Sequence, residues 1–98
     1  WVVPSGFARI NPAMAIRPLD PSVTTCSIYS ACWMWEVVTA IDCNVRVEVV
    51  LYDEAGRVVD DDLNYLTLKA GQIGVAEFGS PSDAALSAEM IDAVCTSF

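Results

Sequence analysis

This chain has 98 residues, the length of a single domain, and a chain of that size buries about two-thirds of the surface that it exposes when unfolded. Its formal net charge of −8, from 13 carboxylates and 5 cations, disfavours nucleic acid and anionic lipid as partners, because phosphate groups repel so acidic a protein. The hydrophobic content of 54% and the mean hydropathy of +0.43 are high for a short chain, which predicts surplus apolar surface for a protein partner or a homo-oligomer.

No apolar run approaches the roughly 20 residues that a helix needs to span a bilayer. The sequence begins at Trp1 rather than at a methionine, which is compatible with a signal or lipid anchor that was removed. A cloned fragment would begin in the same way. A lipid anchor would imply attachment to a membrane or an envelope complex.

The first 25 residues are punctuated by prolines, at Pro4, Pro12, Pro18 and Pro21. Prolines at this spacing leave no room for a long helix and favour extended backbone. We therefore predict an extended N-terminal arm over residues 1–25, with at most a short edge strand, ahead of a single β-sandwich domain over residues 26–98. The arm is too apolar for a disordered segment, and the residues that we expect to contact a partner are Trp1, Phe7, Ile10 and Met14.

Alternation of apolar and polar residues predicts the next two strands. The segment 32–38 places Trp33 and Trp35 on one face, where they serve either as core or as an aromatic platform for a sugar or a protein. The segment 45–52 alternates most clearly, with three valines and Leu51 on one face.

Turn signals divide the second half of the chain. Asp53 to Gly56 predicts a type I turn closed by a left-handed glycine, and residues 57–59 begin the return strand. Strands are predicted over 63–68 and 73–78, around a turn at 69–72. For the tail, helix propensity at 82–95 competes with alternation, and we predict a polar loop or helical turn followed by a closing strand with Ile91, Ala93 and Cys95 on one face. The sum is an all-β, antiparallel immunoglobulin-like sandwich of about seven strands.

Four cysteines and no histidine predict two disulfides and an extracytoplasmic location, which is secreted, periplasmic or at the cell surface. Free buried thiols and a zinc site of four cysteines are the alternatives, although the spacing contains no C-x-x-C pair. Three pairings are possible; we favour Cys26 with Cys32, which closes a local loop, and Cys43 with Cys95, which ties an early strand to the last one.

The segment VEVVLYDEAGRVVDDDLNYLTLKAG, residues 47–71, resembles the FxLYD-type immunoglobulin-like domains of bacterial envelope and secreted proteins. The shared features are Leu51-Tyr52-Asp53, Gly56, the pair Val58-Val59 and the turn that ends at Gly71, whereas Val49 stands at the phenylalanine position of the family. The resemblance implies a secreted or surface-attached β-sandwich without catalytic activity.

The chemistry of the side chains argues against an enzyme and against a cofactor. Without histidine, the Ser-His-Asp and Cys-His mechanisms are absent, and the single lysine, Lys69, lies in a predicted exposed turn. Asp60, Asp61 and Asp62 could supply oxygen ligands to calcium. Alternation points consecutive aspartates to opposite faces, however, so a solvated edge that discourages aggregation is the preferred interpretation.

The function that these features predict is a non-catalytic extracytoplasmic protein–protein interaction module, an accessory or structural subunit of a larger envelope or surface assembly. The alternative is a carbohydrate-binding or calcium-dependent adhesion module that uses the tryptophan face or the acidic run.

Overall fold

The computed structural model describes residues 1–19, 31–80 and 84–97, which form seven β-strands and no helix, and therefore no helix that could cross a membrane. In chain order the strands are β1 Ala8–Asn11, β2 Met14–Pro18, β3 Ala31–Thr39, β4 Cys43–Tyr52, β5 Val58–Leu68, β6 Ile73–Ser80 and β7 Ser87–Ser97. The predicted all-β class and strand number are confirmed.

The strands form two antiparallel sheets that pack on each other. Sheet A has four strands in the order β1-β2-β3-β6, and sheet B has three in the order β5-β4-β7. In a constant-type immunoglobulin domain, the first, second, fifth and fourth strands form one sheet and the other three form the second. The architecture is therefore shared at the level of two packed antiparallel sheets, and the strand order differs.

The core between the sheets follows the alternation that the sequence shows. In β4, the side chains of Val45, Val47, Val49 and Leu51 are at most 1% exposed, and the residues between them face away from the core. Met14, Val37 and Phe78 of sheet A pack against this row. Burial of one valine or leucine side chain stabilises the fold by about 1.5 to 3 kcal/mol, so β4 is the centre of the packing.

The first 25 residues differ from the predicted arm, because part of this segment belongs to sheet A. β1 and β2 form a hairpin, and β2 pairs with β3 from Met14↔Thr39 to Pro18↔Trp35. The prolines permit this because Pro12 lies in the hairpin turn and Pro18 is the last residue of its strand, where no ladder bond is lost. Residues 20–25 lie outside the described residues.

The β4–β5 hairpin has the predicted turn, and Gly56 adopts the left-handed conformation with φ of 80°. The return strand and the separate strand predicted over 63–68 are one strand, because β5 runs without a break from Val58 to Leu68 through all three aspartates. A β-bulge at Val59 absorbs the shift in register, since Leu51 pairs with Asp60 and Tyr52 with Val58.

The tail forms the predicted closing strand, although its inner face is different. A β-bulge lies at Ile91, because Glu48 pairs with Asp92 whereas the next residue, Val49, pairs with Met90. Met90 therefore takes the inward position beside Ala93 and Cys95, and Ile91 is 49% exposed. Strict alternation placed Ile91 on the same face as Ala93 and Cys95, which is wrong because the bulge shifts the alternation by one residue.

Cys43 and Cys95 form a disulfide with a Cα–Cα distance of 5.5 Å, as predicted. The bridge joins β4 to β7 within sheet B, and the Cys43 side chain is fully buried. Cys26 lies outside the described residues, and so does the predicted bridge from Cys26 to Cys32.

Candidate interaction site

The sandwich has two flanks, where the edge strand of one sheet lies beside the edge strand of the other. At the closed flank, β5 of sheet B packs against β6 of sheet A. At the open flank, β7 of sheet B faces β1 and β2 of sheet A. Edge strands expose unpaired N–H and C=O groups, so the treatment of each flank decides where another chain could pair.

Polar side chains from β5 bond to the free edge of β6 at the closed flank. Asn64 Nδ2 donates to the Glu77 carbonyl oxygen at 2.7 Å, and the Gly79 N–H donates to Asp62 Oδ2 at 3.0 Å. The Ser80 hydroxyl donates to Asp60 Oδ2 at 2.8 Å. Three inward-facing side chains of one sheet thus bind the edge of the other.

The three aspartates divide between two roles. Asp60 and Asp62 are partly buried and each also accepts a hydrogen bond from the following backbone N–H, whereas Asp61 is exposed. The preferred interpretation as a solvated edge therefore describes Asp61 alone, because β6 supplies donors to the inward pair. Across residues 1–19, 31–80 and 84–97, the structure shows no group of three or more acidic or cysteine side chains placed to hold a metal ion.

A glycine lets the two strands of the closed flank approach closely. A β-carbon added at Gly74 of β6 would lie 2.7 Å from Leu68 Cδ2 of β5, which is shorter than a carbon–carbon contact allows. The absence of a side chain at this position therefore leaves the space that the Leu68 side chain of β5 occupies.

The open flank holds a cleft of about 320 Å³ between β7 and the β1–β2 hairpin. Five of its six lining residues have apolar side chains, and polar atoms also contribute to its surface; the lining consists of Ile10, Ile16, Met90, Ile91, Asp92 and Ala93. The two bulge residues at its rim, Ile10 and Ile91, are 40% and 49% exposed. Bulges in edge strands re-aim side chains, and here both of them present an isoleucine at the same cleft.

One polar side chain crosses the open flank among the residues that the structure describes. Asn11 Nδ2 of β1 donates to the Ala93 carbonyl oxygen of β7 at 3.2 Å. In an antiparallel strand, the N–H and C=O of a residue point to the same side and alternate along the strand. Ala93 and Cys95 therefore direct their N–H and C=O groups away from β4, toward the open flank.

The outer face of sheet B carries an excess of negative charge, and two of its carboxylates lie on β7 at the open flank. The register places one guanidinium, Arg46, among four outward carboxylates, which are Glu48, Asp61, Glu89 and Asp92. Arg46 Nη2 binds Asp92 Oδ2 at 2.8 Å. Of the two carboxylates of β7, Glu89 is therefore the one that Arg46 does not bind.

The predicted partner-contact residues of the N-terminal segment lie in different places. Trp1 is 45% exposed, and the Arg9 guanidinium lies over its ring, with Cζ 5.5 Å from the ring centroid. Phe7 is half-buried beneath the Arg17 guanidinium at 4.6 Å. Ile10 lines the cleft, whereas Met14 is fully buried in the core.

The two tryptophans of β3 lie on the inner face of sheet A. Both are half-buried and pack against the core, and Trp35 meets Phe78 edge-to-face at 5.5 Å. This position favours the interpretation as core over an exposed aromatic platform, since the rings face the opposite sheet.

Asp53 organises the turn that carries the sequence resemblance. Its carboxylate accepts from the N–H groups of Ala55 and Arg57 and from Arg57 Nε. The hydrogen bond from the Arg57 backbone, followed by the Arg57 side chain, holds the pKa of Asp53 below its ordinary value of 3.8. Asp53 is therefore a structural carboxylate of the hairpin and does not join the aspartates of β5.

Sequence reasoning missed Met90 and Ile91 as part of the site. The segment 89–95 alternates well enough to predict a strand, but no local signal marks the extra residue of the bulge. A β-bulge depends on the partner strand, which the sequence does not identify.

Comparison with protein-family models, with curated proteins and with solved structures finds no match to this chain.

Proposed function

We propose that this chain is a non-catalytic extracytoplasmic protein–protein interaction module, an accessory or structural subunit of a larger envelope or surface assembly. The observation that carries the proposal is the open flank, where β7, an edge strand among the described residues, borders a cleft with isoleucine side chains at its rim. The two isoleucines at its rim are about half exposed, and an exposed apolar patch beside an unpaired strand is typical of an interaction surface.

The extracytoplasmic part of the proposal draws support from the disulfide. Cys43 and Cys95 are bonded, and disulfides persist in oxidising compartments. The resemblance of the β4–β5 hairpin to FxLYD-type immunoglobulin-like domains supports the same location, since those domains belong to envelope and secreted proteins.

The non-catalytic part draws support from how the acidic residues are used. Asp53 binds the turn, Asp60 and Asp62 bind the β6 edge, and Glu36 binds Arg17 with Nε–Oε1 at 3.0 Å. General acid–base catalysis needs a titratable group directed at a substrate site, whereas these carboxylates are engaged in holding the fold.

A site-specific photo-cross-linker tests the proposal. The cross-linking amino acid p-benzoylphenylalanine replaces Ile91 at the open flank or, as a matched control, Ile73, which is 48% exposed on the outer face of β6. In cells of the source organism, we expect a covalent adduct of one defined protein from position 91 and none from position 73. Adduct formation at neither position, or equally at both, would contradict the proposal.

A further inference from the structure

We infer that the open flank binds an extended segment of a partner protein as an added β-strand, which pairs with β7 and has alternating apolar and basic residues. The inference rests on the proposed function and specifies the chemistry of its partner. The added strand would become the fourth strand of sheet B, in the order β5-β4-β7-partner.

The two sheets differ in strand number, and this difference indicates where an added strand would lie. Sheet A has four strands and sheet B has three. β5 covers β6 at the closed flank, and within residues 1–19, 31–80 and 84–97 no strand of sheet B lies beside β7, facing β1. The cleft between Ile10 and Ile91 lies at this position.

The backbone of β7 provides the pairing groups. The Ala93 carbonyl accepts from Asn11, which fixes the direction of the N–H and C=O groups of Ala93 and Cys95 toward the flank. Beyond the bulge at Ile91, the register of β7 with β4 is regular from Asp92 to Ser97. A partner strand can therefore pair along a straight segment, as in strand addition to other exposed sheet edges, and its N–H would replace Asn11 Nδ2 at the Ala93 carbonyl oxygen.

The faces of β7 determine the side chains of the partner. Residues opposite Ala93 and Cys95 would point inward to the cleft, where Ile10 and Ile16 favour apolar side chains. Residues opposite Asp92 and Val94 would point outward, where Asp92 is bound to Arg46. Glu89, on the other side of the bulge, is the carboxylate of β7 that would attract a basic side chain. A second copy of the chain is disfavoured as the occupant, because it carries a charge of −8 and its own β7 contains no cation.

A synthetic peptide provides the test. We would use a fluorescent, end-blocked peptide of about nine residues that alternates valine and lysine, and measure its binding by anisotropy. The first control peptide has the same sequence with N-methyl groups on alternate amides. These groups remove the N–H donors along one side of the extended peptide, so it cannot pair with β7, and they leave the side chains unchanged. The second replaces each lysine with glutamate.

We expect the parent peptide to bind and both controls to bind at least about tenfold more weakly. The variant Ile91→Glu should weaken binding by a similar factor, whereas Ile73→Glu, at the same exposure on β6, should not. In a 15N-resolved spectrum, the peptide should protect the Ala93 and Cys95 amides from exchange.

Equal binding of the N-methylated and parent peptides would overturn strand addition, as would equal losses in the two glutamate variants. A homodimer in light scattering that Ile91→Glu dissociates would assign the site to a second copy and also overturn it. If position 91 still gives a cross-link when any of these three results is found, the proposed function stands although strand addition fails. Failure of the inference and failure of the proposed function are therefore distinguishable.

Discussion

The closed flank and the open flank both contain edge strands with unpaired backbone groups, and they differ in what binds those groups. Each is a place where an edge strand exposes backbone N–H and C=O groups. At the closed flank, Asp60, Asp62 and Asn64 reach across and bind the β6 edge. At the open flank, Asn11 binds Ala93, and a cleft of about 320 Å³ separates the strands.

The difference shows how the acidic run, Asp60 to Asp62, protects the β6 edge. Two of its side chains accept hydrogen bonds from β6 instead of standing in solvent as repulsive charges. Edge strands are often protected by exposed charged side chains. Here two aspartates turn inward and replace the missing neighbour strand with side-chain acceptors, while Asp61 remains outside. The flank without such acceptors is the one with half-exposed isoleucines, which is why we assign interaction to that side.

The largest expected effect concerns the disulfide, which ties the edge strand of the open flank to β4. The double variant Cys43→Ala/Cys95→Ala should lose roughly 4 kcal/mol of unfolding free energy, because the unfolded chain regains the entropy of a loop closed over 52 residues. Urea denaturation of oxidised wild type and variant measures it. An unchanged midpoint would show that β7 does not depend on the bridge.

The next effect compares two neighbouring aspartates of β5. Asp62→Ala removes the acceptor of the buried Gly79 N–H and should cost about 1 to 3 kcal/mol of unfolding free energy. Asp61→Ala is the matched control, and we expect a change within about 0.5 kcal/mol because its side chain faces water. Equal effects in urea denaturation would remove the distinction between inward and outward aspartates.

Close packing at the closed flank gives a third test. Gly74→Ala places a β-carbon against Leu68 Cδ2 and should cost about 1 to 3 kcal/mol. Leu68→Val shortens the opposing side chain, so the double variant should be more stable than the two single effects added together. A strictly additive double-mutant cycle would show that this contact does not limit the approach of β5 to β6.

The smallest effect is the pH dependence from Asp53, in the turn that begins β5. Because its folded pKa is lowered, the stabilising contribution is present above the ordinary value of 3.8 and is lost as pH falls through the folded pKa. Wild type should therefore lose more stability than Asp53→Asn between about pH 5 and about pH 2. Parallel losses in urea denaturation at each pH would contradict this assignment.

The sequence predicts the strands whose inner face is continuous. β4 shows its alternation directly, and the turn at Gly56 has a local cause in the left-handed conformation. The pairing of Cys43 with Cys95 was the favoured one of three, because it ties the start of an early strand to the last strand. These features depend on short-range pattern, which a single sequence contains.

The remaining features depend on neighbours distant in sequence. β2 joins sheet A because it pairs with β3 on one side and with β1 on the other, whereas proline spacing alone suggested an arm. The role of Asp62 depends on Gly79 of another sheet, and the exposure of Ile91 depends on a bulge against β4. The candidate site was thus half predicted: Ile10 was named from its apolar segment, whereas Ile91 was placed on the same face as Ala93 and Cys95.

Native-state hydrogen exchange of individual backbone amides tests the difference between the flanks most directly. The Gly79 amide donates to Asp62 and is buried, so it should exchange slowly, whereas the Ala93 and Cys95 amides point to the open flank and should exchange much faster. Slow exchange at Gly79 with fast exchange at Ala93 and Cys95 is the result that we expect. Protection of Ala93 and Cys95 equal to that of Gly79 would contradict the account, because the edge of β7 would then already be satisfied within the chain.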